Sequence, residues 1–464
     1  MSWKLKEIAQ AVGGELVSAD GQEEVTGVHF DSRRLEPGDL FVPILGQRDG
    51  HDFAQAALDQ GASGAFWAKD SSLAPKGLPL IKVEDSYQAL VDLAKWHLEA
   101  VAPMKIAITG SNGKTTTKDM VASVVGQAFK CHKTVSNLNN ELGVPMTILA
   151  MPADCQVIVV EMGMDGPGQI SALSKLLQPD IAIITMIGEA HIEFFGSRDK
   201  IAQAKLEILD GLSDQGVFIA NGDEPLLESA LNHHPHSLRF GQSPHNDIYP
   251  LTTEIGQRQS QFTLNLDPSL QFTIPSPGKY NVINALAAVL VAQVLDLDLQ
   301  LAVQGLAQFQ LSKNRLEWLE GYKQAHLLND AYNASPTSMK AVLDYFSHLD
   351  LDGEKIAVLG DLRELGSLSG QLHRSLSQAI DPKLLDRVVL YGPEMAALYQ
   401  VLKADFDPDH LTYFPEDRKA LTDFLKDIMG PSSYLLLKSS LGTGLLEVVQ
   451  ALSQKEDDEN QPLD

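Results

Sequence analysis

The sequence predicts an α/β protein of three domains, each built around its own sheet. Three observations point there. The chain's 464 residues exceed the size of one ordinary domain. From KIAITG at 105 onward, short apolar β-rich runs alternate with helical stretches, which is the signature of βαβ units and a parallel sheet. The same alternation restarts near residue 313 after an interval of a different pattern. The expected division is 1–100, 101–312 and 313–464, with no internal repeat of solenoid length.

In the first block, MSWKLKEIAQAVGGEL sets Leu5, Ile8, Ala9 and Val12 at helical spacing with charges between them. It reads as a short amphipathic helix and not as a signal peptide. VTGVHF and GDLFVPI are short strand candidates, and SYQALVDLAKWHLEA is helical. The stretch FDSRRLEPGDLFVPILGQRDGHDF is dense in Asp, Arg and Gly; by composition it is turn material before it is a ligand loop.

In the second block, KIAITG, VIVVEMG and IAIITMIG are strands separated by the helical ISALSKLL and KIAQAKLEILDGL. Alternation in FTLNLD and QFTIP, within 248–274, predicts antiparallel hairpins attached to that sheet, followed by a helix at NVINALAAVLVAQVLD. In the third block AHLLND, KIAVLGD, RVVLYG, LTYF and SYLLLKS are strands. Ser335 as N-cap and Pro336 in the first turn begin one of the helices between them. The acidic end QKEDDENQPLD, 454–464, is expected to be disordered.

Composition narrows the function classes. Hydrophobic residues make up 44% and charged residues 21%, ordinary for a folded protein. A formal net charge of −25, with no run of Lys or Arg, argues against nucleic-acid binding and requires any anionic ligand to be held by local groups. Cys131 and Cys155 are the only cysteines, which fits a reducing compartment with both thiols buried and inert. No apolar run reaches the ~18 residues of a membrane span, so a cytoplasmic location is expected, and no heptad pattern suggests assembly beyond a monomer.

The stretch KIAITGSNGKTTTKDMVASVV, 105–125, carries the clearest chemistry. A strand ends at Gly110, a short turn follows through Ser111, Asn112 and Gly113, and Lys114, Thr115 and Thr116 open a helix. This is the layout of a phosphate-binding loop: helix-start amides and a lysine face phosphate, and a threonine hydroxyl can ligate Mg²⁺. Ile108 stands where the strict motif has a first glycine, so the loop is a variant. Glu161 ends the strand VIVVEMG, where ligands of open α/β sheets gather; it reads either as a Mg²⁺ ligand or as a plain loop glutamate. His191 can ligate a metal or be structural, and Lys205 on its helix can be a surface lysine. Asn281 and Asn284 share one helix face and can read an adenine edge or cap the helix. Arg315 lies at the seam of the second and third blocks, placed either to reach a phosphoryl group on closure or to form a surface ion pair.

TGSNGKTTT, SNLNNELGVPMT, EMGMDGPGQI, GEAHIEFFGS, AKLEI, KYNVINALAA, NRLEW and NDAYNASPTSM occur in the order seen in the Mur ligases of peptidoglycan synthesis. The chain resembles that family over essentially its whole length. NNELGVP, DAYNASPTSM and LGDLRELG are most similar to the subgroup that adds D-Ala-D-Ala. The resemblance implies a P-loop ATPase-like central domain, a Rossmann-like third domain, and ATP-dependent joining of D-Ala-D-Ala to UDP-MurNAc-tripeptide through an acyl phosphate. It implies that Lys114 contacts the β- and γ-phosphates and that Thr115 and Glu161 hold one of two Mg²⁺ ions. His191 then belongs to the second ion, together with a carbamate formed on Lys205. Asn281 and Asn284 match adenine-side asparagines, Arg315 a phosphate-contacting arginine and Asp330 a ribose-side aspartate. Asn137, Asn139 and Asn140 fall in the loop facing the reaction centre; Asp31, Ser32 and Arg33 resemble the segment that faces the uridine nucleotide. Asn333 and Ser335 resemble the region receiving the dipeptide. One departure stands out: relatives read Lys-Gly-Ser after the last strand, whereas Lys438 here precedes Ser439, Ser440 and Leu441. Competing readings are a sibling ligase with another amino-acid acceptor, a non-ligating ATP-dependent switch, and a UDP-sugar-binding protein without catalysis.

Overall fold

Alternating apolar faces organise the central region. In the computed structural model, which describes residues 2–17 and 19–453, six parallel strands form its sheet. Their spatial order is Ser237–Phe240, Val217–Asn221, Ile181–Ile184, Met104–Thr109, Val157–Glu161 and Cys131–Lys133. Ile106, Ile108, Val157 and Val159 pack on one face, under the helices Lys114–Val125 and Lys279–Val294; Ala107, Ile158 and Val160 pack on the other. Burial on both faces explains why these strands are continuous apolar runs rather than alternating ones. The strand carrying the phosphate loop lies between Val157–Glu161 and Ile181–Ile184, with Glu161 opposite Ile108 and Ile184 opposite Thr109. The carboxyl ends of three strands therefore converge where the chain order reverses, the usual binding crevice of such sheets.

Strands Pro250–Ile255, Ser260–Leu264 and Asp267–Ile274 form the expected antiparallel unit, with Phe262 and Phe272 stacked across it at 5.5 Å. Helix Lys279–Val294 is buried almost all round, wedged between this unit and the central sheet. One expected helix is shorter than the sequence pattern suggests. The run over 200–212 is α-helical only as far as Leu206 and tightens to a 3₁₀ turn at Glu207–Gly211. The Glu207 carboxylate accepts the amides of Gly168 and Ser171 at 2.8 and 3.2 Å, and a Cβ on Gly211 would lie 2.1 Å from the Ser174 carbonyl oxygen. The turn is drawn onto helix Gln169–Leu177, which a continuing α-helix would not reach.

The third sheet also has six strands, ordered Glu317–Glu320, His326–Asp330, Ser433–Lys438, Glu354–Gly360, Arg387–Tyr391 and Leu411–Phe414; only the first is antiparallel to its neighbour. Ser335 caps helix Pro336–Ser347 by accepting the Ser338 amide, as the sequence predicts. The N-terminal region carries a five-stranded mixed sheet, and helix Leu5–Ala11 sits where the amphipathic spacing predicts it. Among the described residues no helix is long and apolar enough to cross a membrane. The end expected to be disordered, 454–464, lies outside the described residues.

The thiols require a correction. Cys155 is buried, but Cys131 is only half-buried, because its strand is the sheet edge and has a neighbour on one side. Desolvation still pushes the Cys131 thiol up to about 12.

Candidate active site

Two glycines let the phosphate loop close on itself. A Cβ on Gly110, at φ 153°, would lie 1.8 Å from Thr185 Oγ1, and that hydroxyl donates to the Asn112 carbonyl at 2.6 Å. Gly113, at φ 82°, opens helix Lys114–Val125, and a Cβ there would lie 2.6 Å from Asn284 Oδ1. With no side-chain cap on this helix, its first amides are left for a ligand. Lys114 Nζ donates to the Gly110 carbonyl at 2.8 Å. Burial lowers its pKa, and the nearby Arg315 adds to that while Glu161 opposes it.

Glu161 is buried at the end of its strand. Asn139 Nδ2 donates to its Oε1 at 2.9 Å, while Oε2 has no hydrogen-bond partner and lies 3.9 Å from Lys118 Nζ. Asn137 and Asn140 line the same cavity, and Asn140 Oδ1 also accepts the Gly143 amide at 2.9 Å. His191, in left-handed backbone at φ 64°, lines the cavity as well. Burial chiefly lowers its pKa; Glu364 opposes the shift, and Lys114 and Lys205 reinforce it. Lys205 is the clearest departure from a surface lysine. Its side chain is fully buried, no acidic group among the described residues pairs with it, and desolvation with the repulsion of Lys114 holds its pKa well below the ordinary value.

The third domain closes the other side. Arg315 Nη2 donates to Thr115 Oγ1 at 3.3 Å, and its guanidinium lies over the Tyr332 ring at 5.0 Å. The residues either side of it, Asn314 and Leu316, both have left-handed backbone, at φ 62° and 47°. Asp330 pairs with Lys438 and also accepts the Leu316 amide at 3.2 Å; Lys438 donates further to the Asn333 carbonyl at 3.1 Å. Asn112 Nδ2 donates to Ser335 Oγ at 2.9 Å, and Thr337 Oγ1 donates to Glu189 at 2.6 Å. Most of these side chains line a cavity of about 1500 Å³, room for more than one drug-sized ligand, whereas Lys205 and Ser335 stand outside its lining.

The sequence-predicted residues are not all brought together equally. Ser111, Asn112, Gly113, Lys114, Thr115, Thr116, Glu161, His191, Arg315, Asp330 and Asn333 line the cavity with Asn281 and Asn284. Asn281, however, spends its amide hydrogens on Ser276 Oγ and the Pro277 carbonyl, at 2.6 and 2.8 Å, so it anchors that turn. Asp31, Ser32 and Arg33 stand apart in the N-terminal region: Arg33 is exposed and holds the Asp31 carboxyl down at about 2, and Ser32 is buried. Sequence reasoning missed Lys118, Glu364 and Tyr280, whose buried hydroxyl has no partner, and named Lys438 only for the loop that follows it. A lysine closing the apolar strand SYLLLK was the available signal for Lys438; Lys118 left none.

The donor set suits a hard cation of the magnesium type. Glu161 Oε2 is a buried carboxylate oxygen without a hydrogen bond, and the Thr115 hydroxyl lies in the same cavity. Among the described residues no three His, Cys, Asp or Glu side chains gather as a self-sufficient metal cage. Magnesium ordinarily takes one or two protein carboxylates and completes its shell with phosphates and water.

Three family descriptions match the chain: "Mur ligase family, catalytic domain" over 24–97, "Mur ligase middle domain" over 108–292, and "Mur ligase, glutamate ligase domain" over 314–441. The UDP-N-acetylmuramoyl-tripeptide–D-alanyl-D-alanine ligase of Bacillus subtilis is 39% identical over 97% of this chain and 98% of its own. A crystal structure of MurF from Acinetobacter baumannii superposes with a TM-score of 0.87 at 31% identity, over 98% of this chain and 99% of that one. MurF ligase from Thermotoga maritima, in complex with ADP, superposes with a TM-score of 0.79 at 26% identity, covering 92% and 97%.

Proposed function

The chain belongs to the Mur ligase family, and from that premise we propose that it joins D-Ala-D-Ala to UDP-MurNAc-tripeptide at the expense of ATP. The observation that carries the reading is one cavity in which a phosphate loop from the central domain meets Arg315, Asp330 and Asn333 from the third. Full-length relatives with this activity in their names support it, as does the ADP complex of the Thermotoga maritima ligase. We take the seams near 100 and 312 as the domain boundaries and the cytoplasm, where ATP is available, as the place of action.

A peptide carboxylate is a poor acyl donor, because oxide would have to leave. Its oxygen attacks the γ-phosphorus, the bond to the β-phosphate oxygen breaks, and ADP leaves behind an acyl phosphate. The D-Ala-D-Ala amine then adds to the acyl carbon, loses a proton, and expels inorganic phosphate to leave the amide. Two anions meet in the first step. Lys114, Arg315 and the amides of the loop offset that repulsion and stabilise charge moving onto the β-phosphate. Magnesium held through Thr115, Glu161 and His191 would add positive charge at the phosphates. Lys205 is suited to carry a carbamate there: burial favours its neutral amine, to which CO₂ adds with loss of one proton, replacing a buried amine with an anionic oxygen donor. Asn139 steadies Glu161, and Asn284 packs against the loop at Gly113. Closure of the third domain keeps water from the acyl phosphate. Asp31, Ser32 and Arg33 belong, on this reading, to the uridine-nucleotide side, and Asn333 and Ser335 to the dipeptide side.

Mass spectrometry of the product from UDP-MurNAc-tripeptide, ATP and D-Ala-D-Ala tests the proposal. The expected result is the pentapeptide with ¹⁸O from the labelled tripeptide carboxylate in the released phosphate. ADP formed without the dipeptide product would refute it.

A further inference from the structure

We propose that Glu364, in the third domain, is a positioning residue for His191, fixing that imidazole from outside when the domains close. This rests on the ligase reading above and adds to it a residue that delivers domain closure to the phosphate end of the site. Glu364 Oε2 lies 2.5 Å from His191 Nδ1, a charge contact without hydrogen-bond geometry, so that Nδ1 is a buried ring nitrogen with no other partner. The Glu364 backbone carbonyl also accepts the Glu193 amide at 3.0 Å, so one residue grips the His191 segment at two points.

The turn that presents Glu364 is built for the task. Glu364 has left-handed backbone at φ 61°, and Gly366 follows at φ 53°, where a Cβ would lie 3.1 Å from the Glu193 side chain. The turn's base is fixed by the fully buried His373, whose Nε2 accepts the Leu362 amide at 3.1 Å and whose Nδ1 bonds the Ser369 carbonyl at 2.8 Å. The Arg363 backbone N–H donates to Ser440 Oγ at 3.0 Å and its guanidinium donates to the Gly442 carbonyl at 2.8 Å. The Ser440 loop, which departs from the family pattern, thus holds the base of this turn.

The chemistry follows from the two ring nitrogens. A carboxylate this close to Nδ1 favours the proton on that nitrogen once a small turn of the ring brings the N–H into line, and the Nε2 lone pair is then left for a ligand in the cavity that His191 lines. A stabilising ion pair is a weaker account of the contact. The Glu364 side chain is 45% exposed, and pairs so placed contribute little to stability. With the domains apart, His191 lacks this partner and its ring is free to rotate; closure sets the tautomer and orientation together.

The test uses Glu364→Ala and Glu364→Gln in the full chain, with two readouts. Steady-state kinetics should show kcat falling roughly 10- to 100-fold in Glu364→Ala, the range for loss of such a carboxylate, with KM for UDP-MurNAc-tripeptide within about twofold. Electron paramagnetic resonance of Mn²⁺ titrated in the presence of ADP should show bound Mn²⁺ weakened by a similar factor. Glu364→Gln, whose amide oxygen accepts the same N–H, should recover most of both losses, and the Tm of each variant should stay near that of the parent. Unchanged kcat and Mn²⁺ binding in Glu364→Ala would overturn the proposal. So would equal impairment of both variants, or a loss that tracks a fall in Tm, since either outcome marks an ordinary interdomain contact. Should the parent chain fail to ligate D-Ala-D-Ala, the ligase reading falls, while the Mn²⁺ titration still decides the part played by Glu364.

Discussion

Replacing Lys438 with methionine isolates the energy of the Asp330–Lys438 pair. The two groups lie at the carboxyl ends of adjacent parallel strands, and their side chains are 12% and 2% exposed. Methionine keeps most of the lysine stem's volume but removes the charge. Asp330 is then left as a buried carboxylate with only the Leu316 amide at 3.2 Å, and the Asn333 carbonyl loses its donor. Breaking one side of a buried pair costs about 3–5 kcal/mol, because the survivor is uncompensated. Removing both charges, in Asp330→Asn with Lys438→Met, should recover most of that loss and give a coupling energy of about 2–3 kcal/mol. In urea, a slope near 2–3 kcal/mol per molar converts the single-variant loss to a midpoint shift of roughly 1–2 M. Trp318 reports it well: its strand pairs with the strand of Asp330, whereas Trp3, Trp67 and Trp96 all lie within the first hundred residues. A Lys438→Met loss below about 1 kcal/mol, or strict additivity in the double variant, would refute the assignment of this pair as desolvated and mutually dependent.

Two further outcomes follow from desolvated titratable groups. Lys205→Met, compared with the parent in CO₂-depleted buffer, should abolish ligation while leaving stability equal or higher, because it removes an unpaired buried amine beside Lys114. The folded-state pKa of Lys205 is depressed, so its destabilising effect is present at neutral pH and fades as pH rises toward the unfolded value of 10.5. The stability gap, read by urea unfolding at neutral and alkaline pH, should narrow accordingly; a gap that widens, or an active variant, contradicts this. Cys131, raised from 9.0 to about 12, should alkylate roughly a thousandfold more slowly than a free thiol at pH 8 despite its partial exposure. Its burial also predicts stability lost as pH climbs between those two values. Iodoacetamide labelling at the rate of a model thiol would show the desolvation argument to be wrong.

What the sequence made legible was local. The phosphate loop, with its strand, glycines and helix start, occupies consecutive residues, so its geometry follows from short-range rules. Glu161 was placed by the same reasoning, as the last residue of an apolar strand. Lys205 was visible as a residue but not as a buried one, since its environment depends on how its helix packs against helices Gln169–Leu177 and Pro225–His233. Lys438 and Asp330 are 108 residues apart and meet only because the last strand of the third sheet inserts beside the first parallel one. Glu364 lies in a polar turn after a strand, a position of the same kind as Glu161, yet its partner belongs to another domain. Asn281 carried two readings in sequence, and its hydrogen bonds to the turn at Ser276 and Pro277 account for its amide hydrogens.

The backbone on either side of Arg315 stores strain that fixes where this arginine points. Asparagine adopts the left-handed form readily, but a leucine there sits roughly 1–3 kcal/mol above its relaxed geometry. That geometry is held from within the third domain, by the Asp330 carboxylate on the Leu316 amide and by Glu317 and Asn329 on Asn314, so the strain stays with this domain and aims Arg315 across the seam at Thr115.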